Sequence, residues 1–194
     1  MAGAEPVARG PTLAVFASDR GPGDPERSSL MSFAGSLLAR RGARLVGLAQ
    51  DGYVAVPLVT AARAAGGEVL LIADEHTPLP EALEGVPVER HADDEARLAR
   101  MAALADIFVG LPGSLLSATN LYKCWVRAGA GMSGKPVVLL NRNRAFEVLR
   151  GMAADVITHS VRRADRMLVF TDNPEDLWNK IAWALDEAGR PVAG

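Results

Sequence analysis

Six short apolar runs punctuate the chain: TLAVFA (12–17), RLVGLA (44–49), EVLLIA (68–73), DIFVGL (106–111), PVVLLN (136–141) and MLVF (167–170). Their apolar positions are continuous rather than alternating, as in strands buried on both faces. Between them, apolar residues recur at helical spacing over 26–41, 53–65, 95–104, 117–128, 146–159 and 174–188. Strand and helix alternate, which predicts a single Rossmann-like α/β domain. Its doubly wound parallel sheet carries helices on both faces, and its crossovers are right-handed. Gly66-Gly67 marks a helix C-terminus that needs a left-handed cap, and Pro174 behind Asp172 or Asn173 marks a helix start. The domain is expected over 11–189, with flexible ends at 1–10 and 190–194.

Composition narrows the class. The 194 residues carry a formal net charge of −2 and no basic tract, so a nucleic-acid partner is not expected. A single cysteine, Cys124, excludes an internal disulfide, and His76, His91 and His159 are too scattered to suggest a metal centre. No apolar run approaches the ~20 residues of a membrane span, and MAGAEPVARGP lacks the apolar core of a signal peptide. A cytoplasmic protein without membrane attachment is the expectation.

In a sheet of this kind ligands bind beyond the carboxyl ends of the strands. Three segments there are polar or contain glycine: SDRGPGDPE (18–26), QDGY (50–53) and PGSLLSATN (112–120). Gly113, Ser114 and Ser117 lie between a buried strand and a helix, where backbone N–H groups can hold an anion. Ser114 or Ser117 fits the role of a helix cap equally well. Asp51, Asp19 and Asp24 are the carboxylates of that edge, and Asp51 also fits an ordinary turn. Arg97 can pair with Asp93 or Asp94 at its own helix start. Trp125, Trp178 and Trp183 suit core or dimer packing, and Cys124 suits a small buried apolar site.

The order AVFAS (14–18), LVGLAQDG (45–52), AARAAGGEVLLIAD (61–74), ARLARMAALADIFVGLPGS (96–114), GKPVVLLN (134–141) and VFTDNPEDLWNKI (169–181) resembles the Lonely Guy family. These are cytokinin riboside 5′-monophosphate phosphoribohydrolases, long called lysine decarboxylases. The resemblance implies a homodimer that needs no cofactor and cleaves the N-glycosidic bond of a nucleoside 5′-monophosphate. On the family motif P-G-G-x-G-T-x-x-E, Pro112 and Gly113 match, Ser114 and Leu116 replace glycines, Ser117 replaces threonine, and Asn120 replaces the catalytic glutamate. Arg97 falls on the catalytic arginine, with Leu98 in place of the neighbouring lysine. The glycine-rich turn after the second strand is replaced by Leu48, Ala49 and Gln50, with Gly52 nearby.

The resemblance thus implies catalytic positions at Arg97 and Asn120, and Asp51, which follows the second strand on the same edge as Asn120, is the candidate substitute carboxylate. Ligand contacts are expected from Ser18, Gly52, Gly113, Ser114, Ser117 and Thr119. An amide cannot accept a proton at neutral pH as a carboxylate does, so two functions are open. One is a divergent phosphoribohydrolase that uses another carboxylate. The other is an inactive homologue that binds a nucleotide-like small molecule for sensing or regulation.

Overall fold

The computed structural model describes residues 10–20, 23–129, 135–152, 154 and 167–192. The six expected strands form as β1 (Thr12–Phe16), β3 (Arg44–Gln50), β5 (Val69–Ala73), β7 (Ile107–Gly110), β8 (Val137–Leu140) and β9 (Leu168–Thr171). Three short strands join them: β2 (Asp19–Arg20), β4 (Tyr53–Val54) and β6 (Val88–Arg90). The parallel part of the sheet runs β6-β5-β3-β1-β7-β8-β9, with β1 central and in register through Leu13↔Leu45 and Leu13↔Ile107. This is the doubly wound Rossmann-like α/β architecture expected from the continuous apolar runs.

Helices α1 (Pro25–Arg40), α2 (Val56–Ala64), α3 (Asp94–Leu104), α4 (Leu115–Arg127), α5 (Glu147–Met152) and α6 (Leu177–Glu187) pack on the sheet. Alternate residues of one strand serve opposite layers. Leu13 and Val15 meet the layer containing Leu38 of α1, Leu58 of α2 and Ile181 of α6, whereas Ala14 and Phe16 meet Met101 of α3 and Cys124 of α4. Each fully buried Leu, Ile or Phe contributes about 1.5–3 kcal/mol, and no strand residue needs to be polar. Burial also pushes the Cys124 thiol up to about 12, so this residue behaves as a small core group.

Helix starts follow local chemistry. The Asp24 side chain accepts the Arg27 N–H at α1, with Pro25 in the first turn, and Asp93 accepts the Ala96 N–H at α3. Asn173, not Asp172, accepts the Glu175 N–H over a single 3-10 turn (Pro174–Asp176), after which α6 begins at Leu177. Gly66 takes the left-handed conformation at φ 81°, whereas Gly67 is needed for closeness, because a Cβ there would lie 2.5 Å from the Ala39 Cβ.

The expected helix over 53–65 is shortened at its start. Asp51 (φ 51°) and Gly52 (φ 78°) make a two-residue turn that folds Tyr53–Val54 back on Ala49 and Gln50 as an antiparallel hairpin, and α2 begins only at Val56. Two adjacent left-handed residues match the twist of a tight hairpin, and Asp-Gly is a favoured pair for them. Of the helix expected over 146–159, Glu147–Met152 is seen. His159 and the outer parts of both expected flexible ends, 1–9 and 193–194, lie outside the described residues.

Candidate functional site

Strand β1 lies where the chain order reverses, between β3 and β7, and the segments leaving β1 and β7 meet beyond their carboxyl ends. Two hydrogen bonds join them: Leu111 N–H to the Phe16 carbonyl (3.0 Å) and Ser114 N–H to the Ser18 carbonyl (3.0 Å). Gly113 permits this approach, since a Cβ there would sit 3.1 Å from the Ser18 oxygen and 3.0 Å from the Ser117 Oγ. Of the two candidate caps for α4, Ser114 takes the role, its Oγ accepting the Ser117 N–H at 3.2 Å. The Ser117 hydroxyl donates to the Ser114 carbonyl at 2.9 Å.

Helix α4 buries Ser117, Asn120, Leu121, Cys124 and Trp125, a face set by spacings of three and four residues. Ser117 and Asn120 therefore point inward together, and with Ser18 they line one narrow cavity of ≈ 20 Å³. Among the described residues the rest of its wall is apolar, including Phe16, Leu48 and Leu58, and no charged side chain lines it. Asn120 is only 7% exposed and Ser18 9%. Among the described residues neither the Asn120 amide nor the Ser18 hydroxyl has a hydrogen-bond partner. The fully buried side-chain atoms without a partner among the described residues belong to His91, Arg97, Trp125 and Arg150, so the Asn120 amide and the Ser18 hydroxyl keep access to the cavity.

The other residues singled out in the sequence lie elsewhere. Thr119 is exposed on α4, and Gly52 occupies the hairpin turn. Asp51 is exposed in the same turn, where its N–H donates to Thr77 Oγ1 at 3.3 Å, and it does not line the cavity. Asp19 pairs with Arg27 at 3.6 Å, and Asp24 is spent on the α1 cap. Arg97 is 5% exposed and pairs with Asp94 rather than Asp93. Its Nη1 donates to the His91 carbonyl at 2.9 Å, its Nη2 to the Asp94 carboxylate, and its Nε is buried without a partner. The sequence alternative of a solvated surface pair is thus replaced by a buried, internally held guanidinium outside the cavity wall.

Around Arg97 lies a polar cluster that the sequence does not announce. Gln50 Nε2 donates to Asp94 at 2.9 Å, and the Asp74 carboxylate accepts from the Thr77 hydroxyl and from the His76 and Thr77 N–H groups. The Thr77 hydroxyl above all, with those amides and the charge of Arg97, holds Asp74 at about 2 against the opposing effect of burial. Because the folded value lies below the ordinary 3.8, the contribution to stability is complete above the unfolded value and is lost as pH falls through about 2. Asp74→Asn is therefore expected to lower stability at neutral pH and to flatten its decline between about pH 4 and pH 2, read by urea unfolding across pH.

A second opening lies on the other side of Pro112. This cleft of ≈ 470 Å³ is lined by Asp24, Glu26, Arg27, Arg142 and Asn143, among others. Glu26 accepts from Arg142 Nε (3.4 Å) and Asn143 Nδ2 (3.3 Å), so its charges are largely matched within the protein. The β8–α5 loop reaches it through Arg142, Asn143 and Ala145, and within that loop Asn143 and Arg144 are left-handed at φ 54° and 59°. A left-handed Asn has precedent, but nothing in the sequence marks an arginine for that conformation.

Comparison with known proteins gives this geometry a context. No family model matches the chain. A cytokinin riboside 5′-monophosphate phosphoribohydrolase from Rhodococcoides fascians is 36% identical over 119 residues, which cover 59% of this chain and 60% of that protein. The chain thus aligns with about three-fifths of that relative's length. Among solved structures, the molybdenum cofactor carrier protein of Chlamydomonas reinhardtii superposes with a TM-score of 0.67 at 16% identity, over 92% of this chain and 99% of that one. The structural-genomics target TM1055 gives 0.61 at 23% identity, over 88% and 98%. At these identities the structural matches establish the fold alone. Over those 119 residues the chain is similar to a cytokinin riboside 5′-monophosphate phosphoribohydrolase, the family that its sequence motifs resemble.

Proposed function

We propose that this protein binds a nucleoside 5′-monophosphate or a related nucleotide-like small molecule over the β1–α4 cavity, with one polar group of the ligand entering it, and that it has lost the family's hydrolytic step. The observation that carries this is the convergence of Ser18, Ser117 and Asn120, three buried polar side chains at the reversal point of the sheet, with Asn120 at the position of the motif glutamate. Cleaving an N-glycosidic bond requires stabilisation of an oxocarbenium-like state and a carboxylate to activate water. Asn120 offers an amide, Arg97 is engaged by Asp94 and the His91 carbonyl, and Asp51 stands in the hairpin turn outside the cavity. Hydrolysis through Asp51 would require that hairpin to open.

No cofactor, metal or nucleic acid enters the proposal. A cytoplasmic homodimer belongs to it, supported by the exposed apolar face of α4, where Leu115 is 84% exposed and Tyr122 and Val126 are also open. A thermal-shift panel of nucleosides, nucleoside 5′-monophosphates and sugar phosphates tests binding. At roughly ten times Kd a ligand adds about 1.4 kcal/mol, so a saturable rise in Tm is expected for at least one nucleotide-like compound. No shift with any member at millimolar concentration would overturn the proposal.

A further inference from the structure

We infer that the ligand is read through an uncharged, hydroxyl-sized group rather than through its phosphate, so that a nucleoside binds about as well as its 5′-monophosphate. This rests on the nucleotide-like ligand proposed above and specifies which part of it the protein recognises. Asn120 presents both a donor and an acceptor, and Ser18 adds a hydroxyl; both residues are buried, line the same cavity and have no side-chain hydrogen bond among the described residues. A hydroxyl also gives and takes a hydrogen bond, and it matches that pair. The cavity of ≈ 20 Å³ admits about one water-sized group, whereas a phosphoryl group brings three terminal oxygens and a charge near −2.

The devices that would hold a phosphate are spent within the fold. Ser114 N–H is taken by the Ser18 carbonyl and Ser117 N–H by the Ser114 hydroxyl, two amides that a phosphate-binding turn would turn outward. Gly113 leaves little room beside it, because even a Cβ there would lie 3.1 Å from the Ser18 oxygen and 3.0 Å from the Ser117 hydroxyl. Arg97 is held by Asp94 and the His91 carbonyl, and among the described residues no charged side chain lines the cavity. Burying an anion against such a wall costs more than burying a hydroxyl that finds partners there.

Isothermal titration calorimetry on the full chain decides this, with adenosine, guanosine, cytidine, uridine and their 5′-monophosphates as titrants. The best nucleoside and its monophosphate are expected to differ by less than about tenfold in Kd, and Asn120→Ala to weaken both by about tenfold or more. Ser18→Ala is expected to weaken both as well, and it carries the test if circular dichroism shows that Asn120→Ala does not fold. A monophosphate tighter than its nucleoside by about tenfold or more overturns the inference while leaving nucleotide binding intact. Unchanged affinities in both folded variants also overturn it, by removing these side chains from the ligand. No binding by either class overturns this inference together with the function on which it rests.

Discussion

Asn120→Glu is expected to unfold at lower denaturant concentration than the parent at neutral pH, to recover much of that loss on acidification, and to gain no glycosidase activity. The variant restores the glutamate of the motif, so the resemblance alone would favour a gain of function. The cavity argues otherwise, since among the described residues its wall has no charged side chain and Arg97 faces Asp94 and the His91 carbonyl instead. A carboxylate placed there is buried without a cation, which raises its pKa. The folded state then holds a proton that the unfolded chain has released, so stability falls as pH rises from about 4.3, the unfolded value, through the raised one. An uncompensated buried charge costs about 3–5 kcal/mol, and that loss should appear between acidic conditions and about pH 8. Urea unfolding across pH reads the stability, and chromatography of released base reads the activity. Equal stability at the two ends of the range would show that the site supplies a cation after all.

Gly35→Ala is expected to destabilise the protein by about 2–3 kcal/mol, against the usual direction of such a change in a helix. In an unpacked helix interior the substitution gains about 1 kcal/mol. Here a Cβ on Gly35 would lie 2.2 Å from the carbonyl oxygen of Leu58 and 3.2 Å from the Ala62 nitrogen. Both are backbone atoms of α2, so no rotamer change relieves the clash and α1 must move away from α2. Leu58 and Val59 of α2 also line the cavity, so ligand affinity should fall together with Tm. A Tm equal to or above that of the parent would mean that the two helices are less closely packed than they are described here.

The six main strands and the packing of helices on both faces were legible because strands buried on both faces must be apolar without interruption. On α4 the burial of Cys124 and Trp125 was legible, whereas Thr119, expected at the ligand, is exposed and Ser117 and Asn120 take the inward positions. The hairpin at Asp51-Gly52 was missed although its dipeptide is a strong local signal. The helical spacing after Tyr53 competed with it, and two ladder pairs to β3 won. Arg97 shows a different limit: its sequence neighbours offered Asp93 and Asp94 alike, and only the cap at Asp93 leaves Asp94 to bind the guanidinium. The cleft beside Pro112 depends on left-handed Asn143 and Arg144, a conformation imposed by the surrounding fold rather than by local propensity.

These particulars change what the motif losses mean. Against that motif, Leu116 and Asn120 do not stand alone. They accompany a turn whose Ser114 and Ser117 amides are satisfied internally and a tight hairpin at the position of the second glycine-rich turn. Single-turnover chemistry tests binding without hydrolysis most directly. Protein in excess is incubated with a nucleoside 5′-monophosphate that it binds, and free base is quantified by chromatography. The expected result is recovery of intact monophosphate from the parent and from Arg97→Ala alike. Stoichiometric free base and ribose 5-phosphate from the parent, but not from Arg97→Ala, would contradict it.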